Sequence, residues 1–202
     1  MTGRNTPSPV LEALREATSD VHADLDRRSP LTDAILTPET YVDHAERVMG
    51  WMKPIEQGLW RGEVTDRWPD EIQAEQRDVK VQWIERDLLI GGYNAVRLGN
   101  LPICPYAPVP LTLPAAFGVA YVSEGATLGG VFLFDALAKR LSGLPLHWLQ
   151  GYGKQTGPLW RSFQRLLAQQ VVSPRDILEA QNAARAAFES FRCWVIDEKS
   201  YR

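Results

Sequence analysis

Histidine and cysteine are scarce in this chain, three and two among 202 residues. Cys104 and Cys193 lie far apart and in neither a CxxC nor a CxxCH motif, which excludes a disulfide framework and favours a reducing compartment. No Glu-x-x-His pair occurs anywhere, so the side-chain set of a di-iron carboxylate bundle is missing. No phosphate-cradling glycine-rich loop is present, and no cysteine sits beside an activating base. Charge of one sign is lacking too: 22 basic against 25 acidic residues give a net charge of −3, which does not supply the basic face that broad nucleic-acid binding needs. The N-terminus carries no apolar run followed by a small-residue cleavage site, and the expectation is a cytoplasmic protein. Residues Leu98 to Ser123 carry no charge, but five prolines (Pro102, Pro105, Pro108, Pro110 and Pro114) break any continuous spanning helix there, so no membrane association is expected.

Sustained strand alternation is also missing, as are internal repeats and low-complexity tracts. What is present is helical periodicity, in a chain 45% hydrophobic and long enough for one sizeable core. The expected fold is an all-α, compact single-domain bundle of about six to eight helices, with a flexible start over residues 1–9 and one domain over 10–202. Leu11, Leu14, Thr18, Val21 and Leu25 recur every three or four residues and predict a helix that ends before Pro30. A second starts near Pro38, with Tyr41, Val48, Met49, Met52, Ile55 and Leu59 inward and a kink expected at Pro54. The stretch "DEIQAEQRDVKVQWIERDLLIG" predicts a third, with Val79, Trp83 and Leu89 inward and Gly91-Gly92 as its stop. A long helix follows from Pro114 to Ser142, then "YGKQTGPLWRSFQRLLAQQ". A last helix is capped by Ser173-Pro174 and carries Ile177, Ala184, Phe188 and Phe191 on one face.

The long helix contains "VSEGATLGGVFL", and its glycines need an explanation. Gly125, Gly129 and Gly130 each weaken a helix by roughly 0.5–1 kcal/mol relative to alanine. Gly125 and Gly129 share one face, and a face without side chains admits either another helix or a flat ligand lying on the backbone. Among the histidines, His22 stands two turns after Arg15 on nearly the same face, about 10 Å along the axis. An imidazole and a guanidinium so placed suit either a partly buried structural histidine with a solvated arginine, or a ligand that offers a metal to one and a carboxylate to the other. His44 and His147 have no such partner and read as structural.

Taken together, "LREATSDVHADLD", "YVSEGATLGG", "YGKQTGPLWRSF" and a final helix with Ala184, Phe188 and Phe191 resemble the haem oxygenases, most closely bacterial ones, including those associated with bacteriophytochromes. The resemblance covers most of the chain in order. It implies a helical fold that sandwiches haem between a proximal N-terminal helix and a glycine-containing distal helix. His22 would be the proximal iron ligand, and Gly125, Gly129 and Gly130 would form the distal face. Arg15 would turn toward a propionate, with Lys154 and Arg161 as further candidates, and Thr127 and Phe188 would complete the haem-binding set. Haem b would be both substrate and cofactor, cleaved with O2 and electrons from an external ferredoxin- or flavodoxin-type donor to biliverdin, carbon monoxide and ferrous iron. A bacteriophytochrome would be a possible acceptor of the biliverdin. Ala126 departs from the animal members of the family, which carry an aspartate there; Thr127, Glu124 or backbone carbonyls would then have to order the distal water. The same departure leaves open a haem carrier or sensor that does not degrade its ligand.

Overall fold

A computed structural model describes residues 8–197. Among these the secondary structure is helical throughout, without a strand. Expectations for residues 1–7 lie outside the described residues, and the first helix already begins at Pro9.

α1 (Pro9–Arg28) opens with proline in its first turn, where the missing N–H costs nothing, and buries Val10, Leu11, Leu14, Thr18 and Val21. α2 (Pro38–Trp60) is capped by Thr37, whose side chain accepts from Thr40 N at 3.2 Å, and it continues as one helix through Pro54. Its six expected inward residues are all buried. After two short 3-10 turns comes a one-turn helix, α3 (Ala74–Arg77), then α4 (Lys80–Ile90) and α5 (Ala95–Gly99).

The third predicted helix is therefore broken. Gln73 takes a left-handed conformation (φ 57°) before α3, α3 ends at Arg77, and the chain re-enters helix at Lys80. The inward side of α4 is Lys80, Ile84, Asp87 and Leu88, whereas Leu89 is exposed. Two of those four inward residues are charged; of the expected inward residues Trp83 packs partly buried against the core, Val79 is intermediate and Leu89 is not inward.

The long helix, α6, spans Leu113–Arg140, with Thr112 as its cap and its end two residues before the expected Ser142. It is long and apolar enough to cross a membrane by length and composition, yet half of that window is buried inside the fold. α7 (His147–Gln150), α8 (Thr156–Gln170) and α9 (Pro174–Phe191) complete the set, α9 running on into a π-helical turn, Arg192–Ile196. Six of these helices exceed ten residues, and α3, α5 and α7 are single short turns.

α6 and α9 pack closely because both are small at the crossing. A Cβ on Gly118 would stand 2.2 Å from the Ala180 carbonyl oxygen, and Ala180, Ala184 and Ala187 form the buried side of α9. α9 in turn holds α1: Gln181 donates to Ala13 O and Arg185 to Ala17 O, each at 2.9 Å. The indole of Trp51 on α2 donates to Ser190 Oγ at 2.9 Å and fastens the other side of α9. α1 and α6 thus lie over α9 with few direct contacts of their own.

Candidate functional site

Two ties join α1 and α6. At one end the Tyr121 phenol of α6 lies beside Arg15 and Thr18 of α1. Burial pushes that phenol up, while Arg15 and Thr18 oppose the shift. At the other end Arg140 donates to the carbonyl oxygen of Asp33, beyond the end of α1, at 2.6 Å. Because Thr18 precedes Asp33 on one side as Tyr121 precedes Arg140 on the other, the two helices run in the same direction. One turn on from Thr18, His22 follows on α1, and one turn on from Tyr121, Gly125 follows on α6.

The His22 side chain is 59% exposed. Its Nδ1 lies 3.0 Å from Asp26 Oδ2 on the next turn, and its ring meets the edge of Phe188 of α9, with centroids 5.5 Å apart. A carboxylate on one imidazole nitrogen sets the tautomer and leaves Nε2 as the nitrogen available to a metal. Phe188 supports the ring from below, so the rotamer is held by packing as well as by charge.

The three glycines of α6 divide by environment. A Cβ at Gly129 would meet nothing within 4 Å, and one at Gly125 only the tip of the Trp160 ring, at 3.9 Å. These two leave bare backbone facing open space. Gly130 does not: a Cβ there would stand 3.4 Å from Leu149, so this glycine lets α7 pack on α6 and faces protein rather than ligand. The expectation that all three share the distal face is corrected at Gly130, and the glycine with the closest helix contact is Gly118.

Thr127 is corrected too. It is buried, its hydroxyl donates to Ser123 O at 2.9 Å, and its methyl is where a Cβ on Gly151 would collide. It points to the side of α6 away from Gly129 and is not part of the cleft. Glu124 is likewise unavailable to a distal water, because its carboxylate is buried between Arg77 (2.5 Å) and Lys80 (2.8 Å). Lys154 is exposed on the short turn that follows Tyr152, and Arg161 is exposed on α8, its guanidinium lying 3.3 Å from where a Gly157 Cβ would stand. Arg15 is exposed and lies beside Tyr121. His22 thus packs on Phe188, Arg15 lies beside Tyr121, and Gly125 and Gly129 leave bare backbone on α6, whereas Thr127 and Gly130 face protein.

Sequence reasoning missed four neighbours. Asp26 was detectable as a carboxylate four residues after His22, the spacing that meets on a helix. Phe132 shares the stripe of Gly125 and Gly129 by helix geometry and is 78% exposed, a large apolar ring open to solvent. Tyr121 and Trp160, whose ring centroids are 5.8 Å apart, come from different helices, and no local pattern pairs them.

A flat, metal-centred ligand fits this arrangement: one imidazole with a free nitrogen on one wall, backbone without Cβ on the other, aromatic support beneath and a cation at one end. His44 and His147 stay outside it. His44 is buried beside Trp148, and His147 Nδ1 lies 2.9 Å from the buried Asp87.

Comparison with known proteins agrees. Residues 108–197 match the sequence model of the haem oxygenase family. A haem oxygenase of Xanthomonas campestris pv. campestris (strain 8004) is 33% identical over 106 residues, which are 51% of this chain and 64% of that protein; the match thus spans less than two thirds of the relative. The NO- and CO-bound haem oxygenase of Neisseria meningitidis superposes with a TM-score of 0.68 at 22% identity, covering 93% of this chain and 90% of that one. His22 lies outside the stretch matched to the family model, and it is the fold match that extends over α1. The sequence thus resembles the haem oxygenase family over residues 108–197, and the fold resembles that of a solved haem oxygenase over nearly the whole length.

Proposed function

We propose that this chain binds haem b between α1 and α6 and cleaves it oxidatively to biliverdin, carbon monoxide and ferrous iron, with O2 and electrons from an external donor. The observation that supports the reading is an exposed His22 paired with Asp26 on α1, together with bare backbone at Gly125 and Gly129 of α6. Bound haem would supply both the iron that activates oxygen and the carbon skeleton that is opened.

The chain's own residues hold and shape. His22 Nε2 would ligate the iron as a neutral imidazole, and Asp26 would accept from Nδ1–H and so fix the ring's orientation and tautomer. The absence of Cβ atoms at Gly125 and Gly129 would let the α6 backbone approach the other face of the ligand closely. Phe188 and Trp160 exclude water from the floor. Arg15 pairs with a propionate at the Tyr121 end, and Lys154 and Arg161 are the further cations offered to the propionates from the α8 side. With Ala126 offering no carboxylate and Glu124 committed to its buried ion pairs, backbone groups of α6 are what remains to order a distal water. The Neisseria relative binds the diatomic ligands NO and CO, in keeping with this use of the cleft.

A ferredoxin- or flavodoxin-type protein is the electron donor of this reading, and a bacteriophytochrome is a possible acceptor of biliverdin. The free thiols of Cys104 and Cys193 suit the cytoplasm. The test is to add one equivalent of hemin, record the Soret band, then supply ascorbate in air. Growth of biliverdin absorption with loss of the Soret, abolished in His22→Ala, is the expected result; a Soret band that depends on His22 yet persists under reductant and air would instead make the protein a haem carrier.

A further inference from the structure

Beside Gly125, on a neighbouring face of α6, lies a group of charges that the proposed reaction does not use. Arg77, Lys80 and Glu124 are all essentially buried, their side chains 0%, 0% and 2% exposed. The Arg77 guanidinium donates to Ile72 O (2.6 Å), to Glu124 Oε2 (2.5 Å) and to Leu159 O (3.0 Å). The Lys80 ammonium directs its three protons to Arg77 O (2.9 Å), Glu124 Oε1 (2.8 Å) and the Tyr152 hydroxyl (2.7 Å), while Tyr152 donates to Glu124 Oε1 (3.0 Å). Glu56 of α2 accepts from the backbone N–H groups of Lys80 (2.6 Å) and Val81 (3.1 Å) and supplies the second negative charge. Both cationic side chains of the group are fully partnered, and the group joins α2, α3, α4, α6, the turn at Tyr152 and α8.

A buried ion-pair network of this kind adds little to stability by itself, since desolvation cancels most of the attraction and apolar packing holds as well. Its place in the chain gives it another use. Glu124 is the residue immediately before Gly125, and on the cleft side Gly125 and Gly129 have no side chains to wedge α6 against a neighbour. The height and rotation of this turn must then be set from the neighbouring face, and Glu124, held through both carboxylate oxygens, is what sets it.

We propose that Glu124, with Arg77, Lys80 and Tyr152, is the positioning device that determines how close the Gly125–Gly129 backbone stands to the ligand and hence which meso carbon is attacked. The proposal rests on the haem reading above, because only a ligand under those glycines would sense the height of the helix. None of the four touches the ligand; they are positioning residues. Burial raises the Glu124 carboxyl, but Lys80 and Arg77 outweigh it and hold the group below its usual range, so the clamp is charged at neutral pH.

The decisive variant is Tyr152→Phe, which removes the hydroxyl while keeping the ring against Trp83, whose centroid is 5.0 Å away. Amide hydrogen exchange in the ligand-free protein should accelerate about five- to tenfold at Gly125–Gly130 and stay unchanged in α9, as expected for one lost hydrogen bond felt locally. Hemin should still bind through His22, and single-turnover products should show a changed ratio of biliverdin isomers. Glu124→Gln should do the same more strongly; if it does not fold, Tyr152→Phe decides alone. Unchanged exchange, or an unchanged isomer ratio with altered exchange, overturns the proposal and leaves the group a structural tie. A wild-type protein that fails to bind hemin overturns the haem reading and this proposal with it, whereas hemin turnover with an indifferent Tyr152→Phe overturns this proposal only.

Discussion

The Nδ1 atom of His22 sits 3.0 Å from the carboxylate of Asp26, one helical turn ahead and likewise open to solvent. An exposed pair of this sort adds little to stability, so its worth lies in orientation.

Asp26→Ala should therefore leave thermal unfolding unchanged and weaken hemin binding on the order of 10–100-fold, the usual effect of removing an outer partner of a metal-ligating histidine. Hemin titration followed at the Soret band checks it, with His22→Ala as the complete loss. Equal affinities in wild type and Asp26→Ala would show that Phe188 alone orients the ring.

The glycines separate folding from function. Gly129→Ala should stabilise the ligand-free protein by roughly 0.5–1 kcal/mol, since the added methyl meets open space and alanine favours the helix, and it should weaken hemin binding. Gly118→Ala should cost about 1–3 kcal/mol or more, because its methyl meets the Ala180 carbonyl at 2.2 Å. Denaturant melts of the two variants beside wild type settle both signs.

Phe132 leads to a prediction of the same form. It is 78% exposed, so Phe132→Ser should change stability by less than about 0.5 kcal/mol. If bound haem covers this ring, burial of a phenylalanine contributes roughly 1.5–3 kcal/mol, and hemin affinity should fall about tenfold or more. An unaltered dissociation constant would place Phe132 beyond the ligand edge.

Acid stability should depend on His44. Burial first, and the charge of Arg47 second, push its imidazole down to about 4 from 6.5. The unfolded chain then binds the proton more readily than the folded one, so stability present above pH 6.5 is lost as the pH falls from 6.5 to about 4. That single group carries about 3 kcal/mol over the window. Urea melts at about pH 7 and about pH 4.5, on either side of most of that loss, should show a smaller acid loss in His44→Phe than in wild type; parallel losses would mean that other groups carry the acid sensitivity.

Much of this was legible from the sequence. The inward faces of α1 and α2, the proline near the start of α2, the Ser173 cap, and the absence of strands among the described residues follow from local periodicity and turn chemistry, which a few consecutive residues encode. His22 and the Gly125/Gly129 pair stood out because histidine is scarce and because interior helical glycine is costly. Three-dimensional packing decided the rest. Nothing local tells Gly129, facing open space, from Gly130, facing Leu149, or from Gly118, against Ala180. The break before α4 and its charged inner face escaped an apolar pattern because Arg77 and Lys80 are buried by a partner 47 and 44 residues away in the chain, and Glu124 became a clamp instead of a distal group for the same reason. Hydrophobic period reports which side of a helix is dry; which dry side holds a paired charge, and which bare side faces a cleft, is settled only when distant elements meet.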